Sequence, residues 1–348
     1  MRRMSYLFPI TAVFFVAVVL TSMASAQSEP TADHHPCTAP KFQTDVRPNA
    51  DGPPIKVSLG IRLIDLMEIN DVSQTMTGDF GVLLTWTDPR LAHLEGCEIS
   101  LDDIWSPGVV FINSGRTFPS RQRIVKIGPG GIVRYLQRYY GSLATYHNLH
   151  DFPFDNQVFR ISLYSVEYGE NEVQLVVDER MTGRREKLNI SNWSVNAVNG
   201  VIDREYVDAL ARFHSRYDFE ISANRITAYY VWKVILPLCL IVAMSWSVFW
   251  ISPAQLGTQI GLSATSMLTL IAFLFATTNM LPQLGYFTVL DKFIGASTIL
   301  VFLALLESLT TGYLFSKQRE EISLRIDRLS RIAFPLAFAS LVVVVLFL

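Results

Sequence analysis

Residues 257–279 read GTQIGLSATSMLTLIAFLFATTN, a stretch apolar enough for a bilayer that nevertheless carries Thr258, Gln259, Ser263, Thr265, Ser266, Thr269, Thr277, Thr278 and Asn279. A helix facing only lipid gains nothing from so many polar groups, because each of them must find a partner in hydrocarbon. Positions 257, 261, 265, 268, 272, 275 and 279 recur at steps of four, four, three, four, three and four, so they share one helical face. That face reads Gly257, Gly261, Thr265, Leu268, Ala272, Phe275 and Asn279, small or polar at one end and apolar towards the other. Around a symmetry axis it would line a pore with hydrophobic rings at Leu268 and Phe275, and rings of that kind gate by dewetting. Glycines and hydroxyls also let helices pack closely in a bilayer, so pore and packing both account for the pattern. A pore further requires an oligomer, since one such helix per chain cannot enclose water.

Three other segments are similarly apolar. The set of four spans is expected at about residues 226–250, 256–279, 287–315 and 332–348, lengths suited to a ~30 Å hydrocarbon core. Tyr229, Tyr230 and Trp232 at one end of the first span and Trp246 and Trp250 at the other form interfacial belts. Pro237 lies inside it, where neighbouring helices can satisfy the freed carbonyl. Between the last two spans, Lys317, Arg319, Arg325, Arg328 and Arg331 outnumber Glu320, Glu321 and Asp327. Positive-inside reasoning therefore puts residues 316–331 in the cytoplasm as a short loop, with both termini on the outer side. The N-terminus agrees. Arg2 and Arg3 precede an apolar run from Tyr6 to Leu20, and Ala24-Ser25-Ala26 is a processing site. Residues 1–26 are expected to be a secretory signal peptide, the mature chain beginning near Gln27 in the cell (inner) membrane.

Residues 27–225 have a different texture. From Lys56 to Ser222, short alternating runs are broken by Gly, Pro, Asn and Asp. IKVSLGIRLIDLMEI (55–69) and DFGVLLTWTD (79–88) are strands, and RIVKIGPGGIVRYLQRYYGSL (123–143) is two strands around a Gly-Pro-Gly-Gly turn. DNQVFRISLYS, NEVQLVV, NWSVNAVNG and RFHSRYDFEIS continue the series, which predicts about ten short strands in an all-β sandwich. The fold class is therefore an outer sandwich followed by a four-helix transmembrane bundle over residues 226–348.

Composition narrows the function. Half of the 348 residues are hydrophobic, mean hydropathy is +0.29, and the net charge of -2 gives no footprint for nucleic acid. No nucleophile elbow, phosphate loop or metal-binding helix is present, so neither an enzyme, nor a cofactor, nor a metal site is expected. Three cysteines are too few for a disulfide scaffold. Cys37 and Cys97 would both lie in an oxidising compartment, but nothing in the sequence brings them together and they are expected to remain unpaired. Cys239, in the first span, is expected to be an inert small residue. His147, His150 and His214 could confer pH sensitivity, although exposed histidines without a role are the expectation.

Several motifs resemble the pentameric ligand-gated ion channels, or Cys-loop receptors, and their prokaryotic members in particular. DFPFDNQVF (151–159) carries the FPFD of the loop that names the family, with Thr145 and Phe159 at the positions of its two cysteines. WTDPRL (86–91), IWSPGVVFIN (104–113), Arg225, ILPLCLIVAMSWSVFW (235–250), NMLPQLGYFTVLD (279–291) and RIAFPLAF (331–338) follow in the family's order. The resemblance implies a homopentamer: each chain joins four identical subunits around a central pore, surrounded by membrane lipid and conducting inorganic ions. It assigns Gly261, Thr265, Leu268, Ala272 and Phe275 to the pore face, in agreement with the helical spacing. It also gathers Asp71, Val72, Phe152, Pro153, Phe154, Asp155, Arg225, Leu281 and Pro282 where the domains meet, as the element that couples ligand binding to the pore. A planar guanidinium such as Arg225 can hold the Asp71 and Asp155 carboxylates with directional hydrogen bonds.

The same resemblance places a small-molecule agonist between neighbouring sandwiches, under a hairpin spanning about Val201 to Arg216. Ile112 and Val166 stand where amine-responsive relatives carry aromatics, and Gly81 replaces a third. Tyr206, Phe213 and Glu167 complete the candidate ligand contacts. The agonist, a small ligand or protons, is not identified by these residues. No charged ring borders the second span, where Thr258 and Gln259 stand at the inner mouth, and cations are the expected cargo. A non-conducting envelope receptor is the rival reading. It leaves the small-and-polar face of the second span unexplained and has little room for an output domain. A secondary transporter would show internal repeats and broken helices.

Overall fold

The computed structural model describes residues 37, 44–278 and 284–347. The expected signal peptide and processing site, and Asn279, Leu281 and Pro282, lie outside the described residues. Twelve strands come first: β1 (Ile55–Asn70), β2 (Thr75–Thr87), β3 (Glu98–Ser100), β4 (Val109–Phe111), β5 (Ser114–Pro119), β6 (Ile124–Gly128), β7 (Ile132–Ala144), β8 (Asn156–Ser165), β9 (Val173–Val177), β10 (Gly183–Arg184), β11 (Trp193–Val207) and β12 (Arg212–Arg225). One sheet runs β10-β1-β2-β7-β6-β3, with β5 on β7 and β9 parallel on β1; the other runs β11-β12-β8-β4. Strand β1, at 16 residues, matches its long alternating stretch, whereas β11 and β12 are longer than the short runs suggested, at 15 and 14 residues. They extend because each pairs along most of its length with a neighbouring strand, the β11–β12 ladder running from Trp193↔Arg225 to Val207↔Arg212.

Alternation in these strands decides what fills the space between the sheets. Alternate residues of β7 and β8 turn inward, with Val133, Tyr135 and Gln137 buried in one and Gln157, Phe159, Ile161 and Leu163 in the other. Trp86 and Trp105 meet edge to face at 6.2 Å in the middle of this core. The β6–β7 turn requires its glycines. Gly131 has φ +79°, and a Cβ there would sit 2.1 Å from the carbonyl oxygen of Asp88. Asp88 is itself buried, caps the 3-10 turn Pro89–Leu94 and receives the guanidinium of Arg90.

Cys37 and Cys97 form a disulfide across a separation of 60 residues, against the expectation that they stay free. Asp45 and Val46 lie on the sandwich: Arg90 Nη1 donates to the Val46 carbonyl (3.0 Å) and Tyr168 Oη to the Asp45 carbonyl (3.2 Å). Only tertiary packing makes these contacts, so local patterning carried no sign of them.

Four helices follow: α1 (Ala228–Trp250), α2 (Leu256–Thr277), α3 (Val289–Ser316) and α4 (Glu320–Phe347). Inside α1, residues Val231–Ile235 form a π turn just ahead of Pro237. The wider turn accommodates a residue that cannot donate to the carbonyl four positions back. Three stretches, Ala228–Trp250, Pro253–Thr277 and Val289–Ser316, are long and apolar enough to cross a membrane. Residues 320–331, expected as loop, instead form the first turns of α4, leaving Lys317–Arg319 as the connection. Ser323, Asp327 and Ser330 recur at helical spacing and are buried, so this polar segment is amphipathic and packs on its neighbours. At 28 residues α4 is about 42 Å long, more than a bilayer core needs.

Candidate functional site

Where the sandwich ends, one guanidinium holds two loops. Arg225, the last residue of β12, donates from Nε and Nη2 to Asp155 (2.7 and 3.1 Å) and from Nη1 and Nη2 to Asp71 (2.6 and 2.9 Å). Asp71 sits on the β1–β2 turn and Asp155 just before β8, so three separate segments are tied at one point. The side chains of Arg225 and Asp155 are each only 2% exposed, and that of Asp71 13%. The guanidinium also lies 4.2 Å from the ring centroid of Trp193 and 4.8 Å from that of Phe152. Burial alone would raise the Asp71 carboxyl, but hydrogen bonds from His147 and Arg225 outweigh it and hold the group below its ordinary value. For Arg225, burial opposes the charge and the two carboxylates more than restore it, raising its pKa.

The expected histidine assignments change here. His147 is fully buried, with Nδ1 3.2 Å from Asp71 Oδ1 and Nε2 2.7 Å from Thr145 Oγ1. His214 is also fully buried, its Nδ1 2.7 Å from the Ser165 carbonyl. Both stand on the core side of segments whose polarity suggested surface. Of the three, His150 alone is exposed, and it stacks on Tyr286 at 4.1 Å. Gln157 completes the cluster by donating to Asp155 Oδ2 and to the Asn148 carbonyl.

The FPFD loop reaches directly into the helices. Phe152 is 1% exposed and packs with Val234, Leu238, Leu290 and Phe293. Backbone N–H groups of Val289 and Leu290, at the start of α3, donate to the carbonyls of His150 (3.0 Å) and Phe152 (3.2 Å). Tyr286 Oη accepts from the Leu149 N–H at 3.1 Å. Pro153, joined to Phe152 by a cis peptide, is buried, and Phe154 is partly so. Val72, on the turn that carries Asp71, is 65% exposed. Trp193, His147, Gln157 and Tyr286 were missed as members of this cluster. A buried histidine is invisible to local patterning, and Trp193 reads simply as a strand aromatic.

On α2, Gly257, Gly261, Thr265, Leu268, Ala272 and Phe275 are all exposed, with Leu268 at 68% and Phe275 at 76%. The opposite face is buried through Gln259, Ser263, Ser266, Leu270 and Thr277. Thus the polar groups divide. Ser263 meets Ser308 of α3 at 3.1 Å and Gln259 donates to the Ile251 carbonyl, while Thr265 bonds only its own helix backbone, at Gly261.

The hairpin residues assemble only in part. Tyr206 and Phe213 face each other across the β11–β12 ladder at 5.0 Å, edge to face. Arg204, which sequence reasoning did not single out, lies 3.9 Å above the Phe213 ring and pairs with Glu170 at 2.5 Å. Arg212 donates to the carbonyls of Val166 and Glu167, bringing that loop beside the hairpin. Ile112 is exposed next to β4, with β8 and β12 between it and the β11 side of the hairpin. Val166 and Glu167 also line a half-open cavity of about 480 Å³ with Arg123, Gln137, Tyr135 and Tyr139. Burial and the neighbouring Tyr135 push the Tyr139 phenol up to about 12. Among the described residues no group of three or more His, Cys, Asp or Glu side chains could hold a metal ion.

A β-sandwich whose FPFD loop makes direct backbone contact with a bundle of long apolar helices defines an outer domain seated on a transmembrane domain. Residues 37–228 match the neurotransmitter-gated ion-channel ligand binding domain, and residues 234–325 match the neurotransmitter-gated ion-channel transmembrane region. The chain belongs to the neurotransmitter-gated ion-channel family and is a subunit of a pentameric ligand-gated ion channel. It is 26% identical over 301 residues to the proton-gated ion channel of Gloeobacter violaceus, covering 85% of this chain and 83% of that one. It is 25% identical over 303 residues to the gamma-aminobutyric acid receptor subunit beta-4 of Gallus gallus, covering 81% of this chain and 62% of that subunit.

Proposed function

We propose that five copies of this chain form a homopentameric channel in which α2 lines the pore and Leu268 and Phe275 form its hydrophobic gate. The observation that carries this reading is the division of α2. Ser263, Ser266 and Thr277 are buried against the bundle, Ser263 reaching Ser308 of α3, whereas the Gly257–Phe275 face is exposed. A helix buried on one side and lined with small, polar and then large apolar residues on the other suits the wall of a water path that can dewet. The sandwich lies outside, in the periplasm, and residues 317–319 with the first turns of α4 lie in the cytoplasm, so both termini are outside. Inorganic cations are the cargo, since α2 carries no basic side chain. Its activator is a small molecule or the proton, acting on the sandwich.

The Arg225 knot is the coupling element. It joins the β1–β2 turn, the FPFD loop and the start of α1, and the FPFD loop in turn bonds α3. Movement of the sandwich therefore has a short path to the helices. The test is electrical. Purified protein in planar bilayers is recorded across a pH series and a panel of small amines and carboxylates, with Leu268→Ala alongside. Unitary currents that increase in the variant support the reading. Silence from confirmed pentamers of both proteins overturns conduction and favours a non-conducting receptor.

A further inference from the structure

At the end of the bundle remote from the sandwich, two acidic side chains face each other. Glu307 is nineteenth in α3, about 27 Å along the helix from Val289. Asp327 lies in the polar first half of α4 and is fully buried. The two carboxyl groups lie within hydrogen-bonding reach of each other. Glu307 Oε1 and both oxygens of Asp327 are sealed from solvent without a protein donor. Neighbouring hydroxyls are shared: Thr311, which lies beside Asp327, donates to the Glu307 and Ser308 carbonyls, and Ser323 to the Thr311 carbonyl. Ser330 is the remaining hydroxyl beside Glu307.

Charges facing this pair are few. Arg331, one turn further along α4, is the near cation, but its Nε is committed to the Phe249 carbonyl at 2.9 Å. The last turns of α1 (Ser245–Trp250) and the first four turns of α2 (Leu256–Leu270) present no titratable side chain. On α3 the remaining nearby group is Tyr313, which is exposed, as are Arg325 and Arg328 on α4. Two carboxylates in contact in so dry a place cannot both be ionised. A proton bridging them would supply a donor between the two carboxyls and leave a single negative charge opposite Arg331.

We propose that Glu307 and Asp327 hold one proton between them, and that its release forces α4 away from α3 and alters channel opening from the cytoplasmic side. The electrical half rests on the channel reading above; the shared proton does not. Infrared difference spectra of reconstituted pentamers test the proton without any current. The carbonyl stretch of a protonated carboxyl should be present at neutral pH, disappear as the solution is made alkaline, and be lost in both Glu307→Gln and Asp327→Asn. A band equally strong in wild type and both variants, or absent from wild type, would overturn the proposal. If neither variant folds, the alkaline disappearance of the band in wild type decides the matter. In bilayers, raising the pH on the cytoplasmic side alone, where α3 turns into α4, should change wild-type current several-fold, and Glu307→Gln should lose that response. A response that survives in the variant refutes the link to opening.

Discussion

Replacing Arg225 with glutamine would strand two carboxylates in the one place where the chain can least hydrate them. Four charge-assisted hydrogen bonds between 2.6 and 3.1 Å disappear, together with contacts to two aromatic faces. Removing one partner of a buried ion pair typically costs about 3–5 kcal/mol, because the surviving charge is left without compensation. A whole domain is commonly stable by only about 5–15 kcal/mol. Arg225→Gln should therefore melt well below wild type, measured as loss of the pentamer peak after heating in detergent. The triple variant Arg225→Gln, Asp71→Asn, Asp155→Asn removes charge from both sides and should recover most of that loss. Yet it should still fail to open to whatever activates wild type in the bilayer panel, because the directional tie between loops is gone. The reasoning collapses if Arg225→Gln melts with wild type, or if the triple variant gates normally.

Acid should attack the same knot from the other side. The Asp71 carboxyl is held below its ordinary value, so its stabilisation is complete above about pH 4 and is lost as the pH falls through that lower folded value. Asp71→Asn should flatten the acid limb of the melting curve while leaving the region from pH 5 upwards nearly parallel to wild type, as read by thermal melts across pH. Leu268→Ala should lower the activator concentration for half-maximal current by about tenfold, equivalent to ~1.4 kcal/mol, and Phe275→Ala should act in the same direction. Because Arg204 already occupies the Phe213 face, quaternary ammonium ions should not activate wild type, and Arg204→Ala should improve their binding by an amount set by one cation–π contact, about 0.5–2 kcal/mol. Calorimetric titration with choline would read this. Opening the 60-residue disulfide loop with Cys97→Ser should cost up to about 4 kcal/mol by chain entropy, seen as a lower melting temperature that reductant does not lower further.

Legibility followed the range of the interactions. Strand alternation and the 3.6-residue period are local, so the sandwich, the helices and the two-faced α2 could all be read from spacing. Arg225, Asp71 and Asp155 were found through motif resemblance, and the structure brings them within hydrogen-bonding distance. Burial of a polar residue is a different matter. His147 and His214 look like surface residues because nothing adjacent in sequence tells that Asp71 or Ser165 will meet them. Arg204 was overlooked for the same reason, since its ring partner lies across a hairpin and its carboxylate partner on another loop. The first turns of α4 were mistaken for loop because charge was weighed there and periodicity was not; Ser323, Asp327 and Ser330 carried the signal.

The loop that bears FPFD is closed here without sulfur. Thr145 and Phe159 stand where a covalent bridge would begin and end, and His147 spans the gap, hydrogen-bonded to one and packed edge-on at 5.1 Å against the other. Reductants consequently have nothing to cut beside the Arg225 knot. Among the described residues the redox-sensitive tie lies instead between Cys37 and Cys97, which fastens position 37 to the sandwich. Thiol chemistry would thus free position 37 and leave the junction with the helices intact, the reverse of what a bridged loop would suffer.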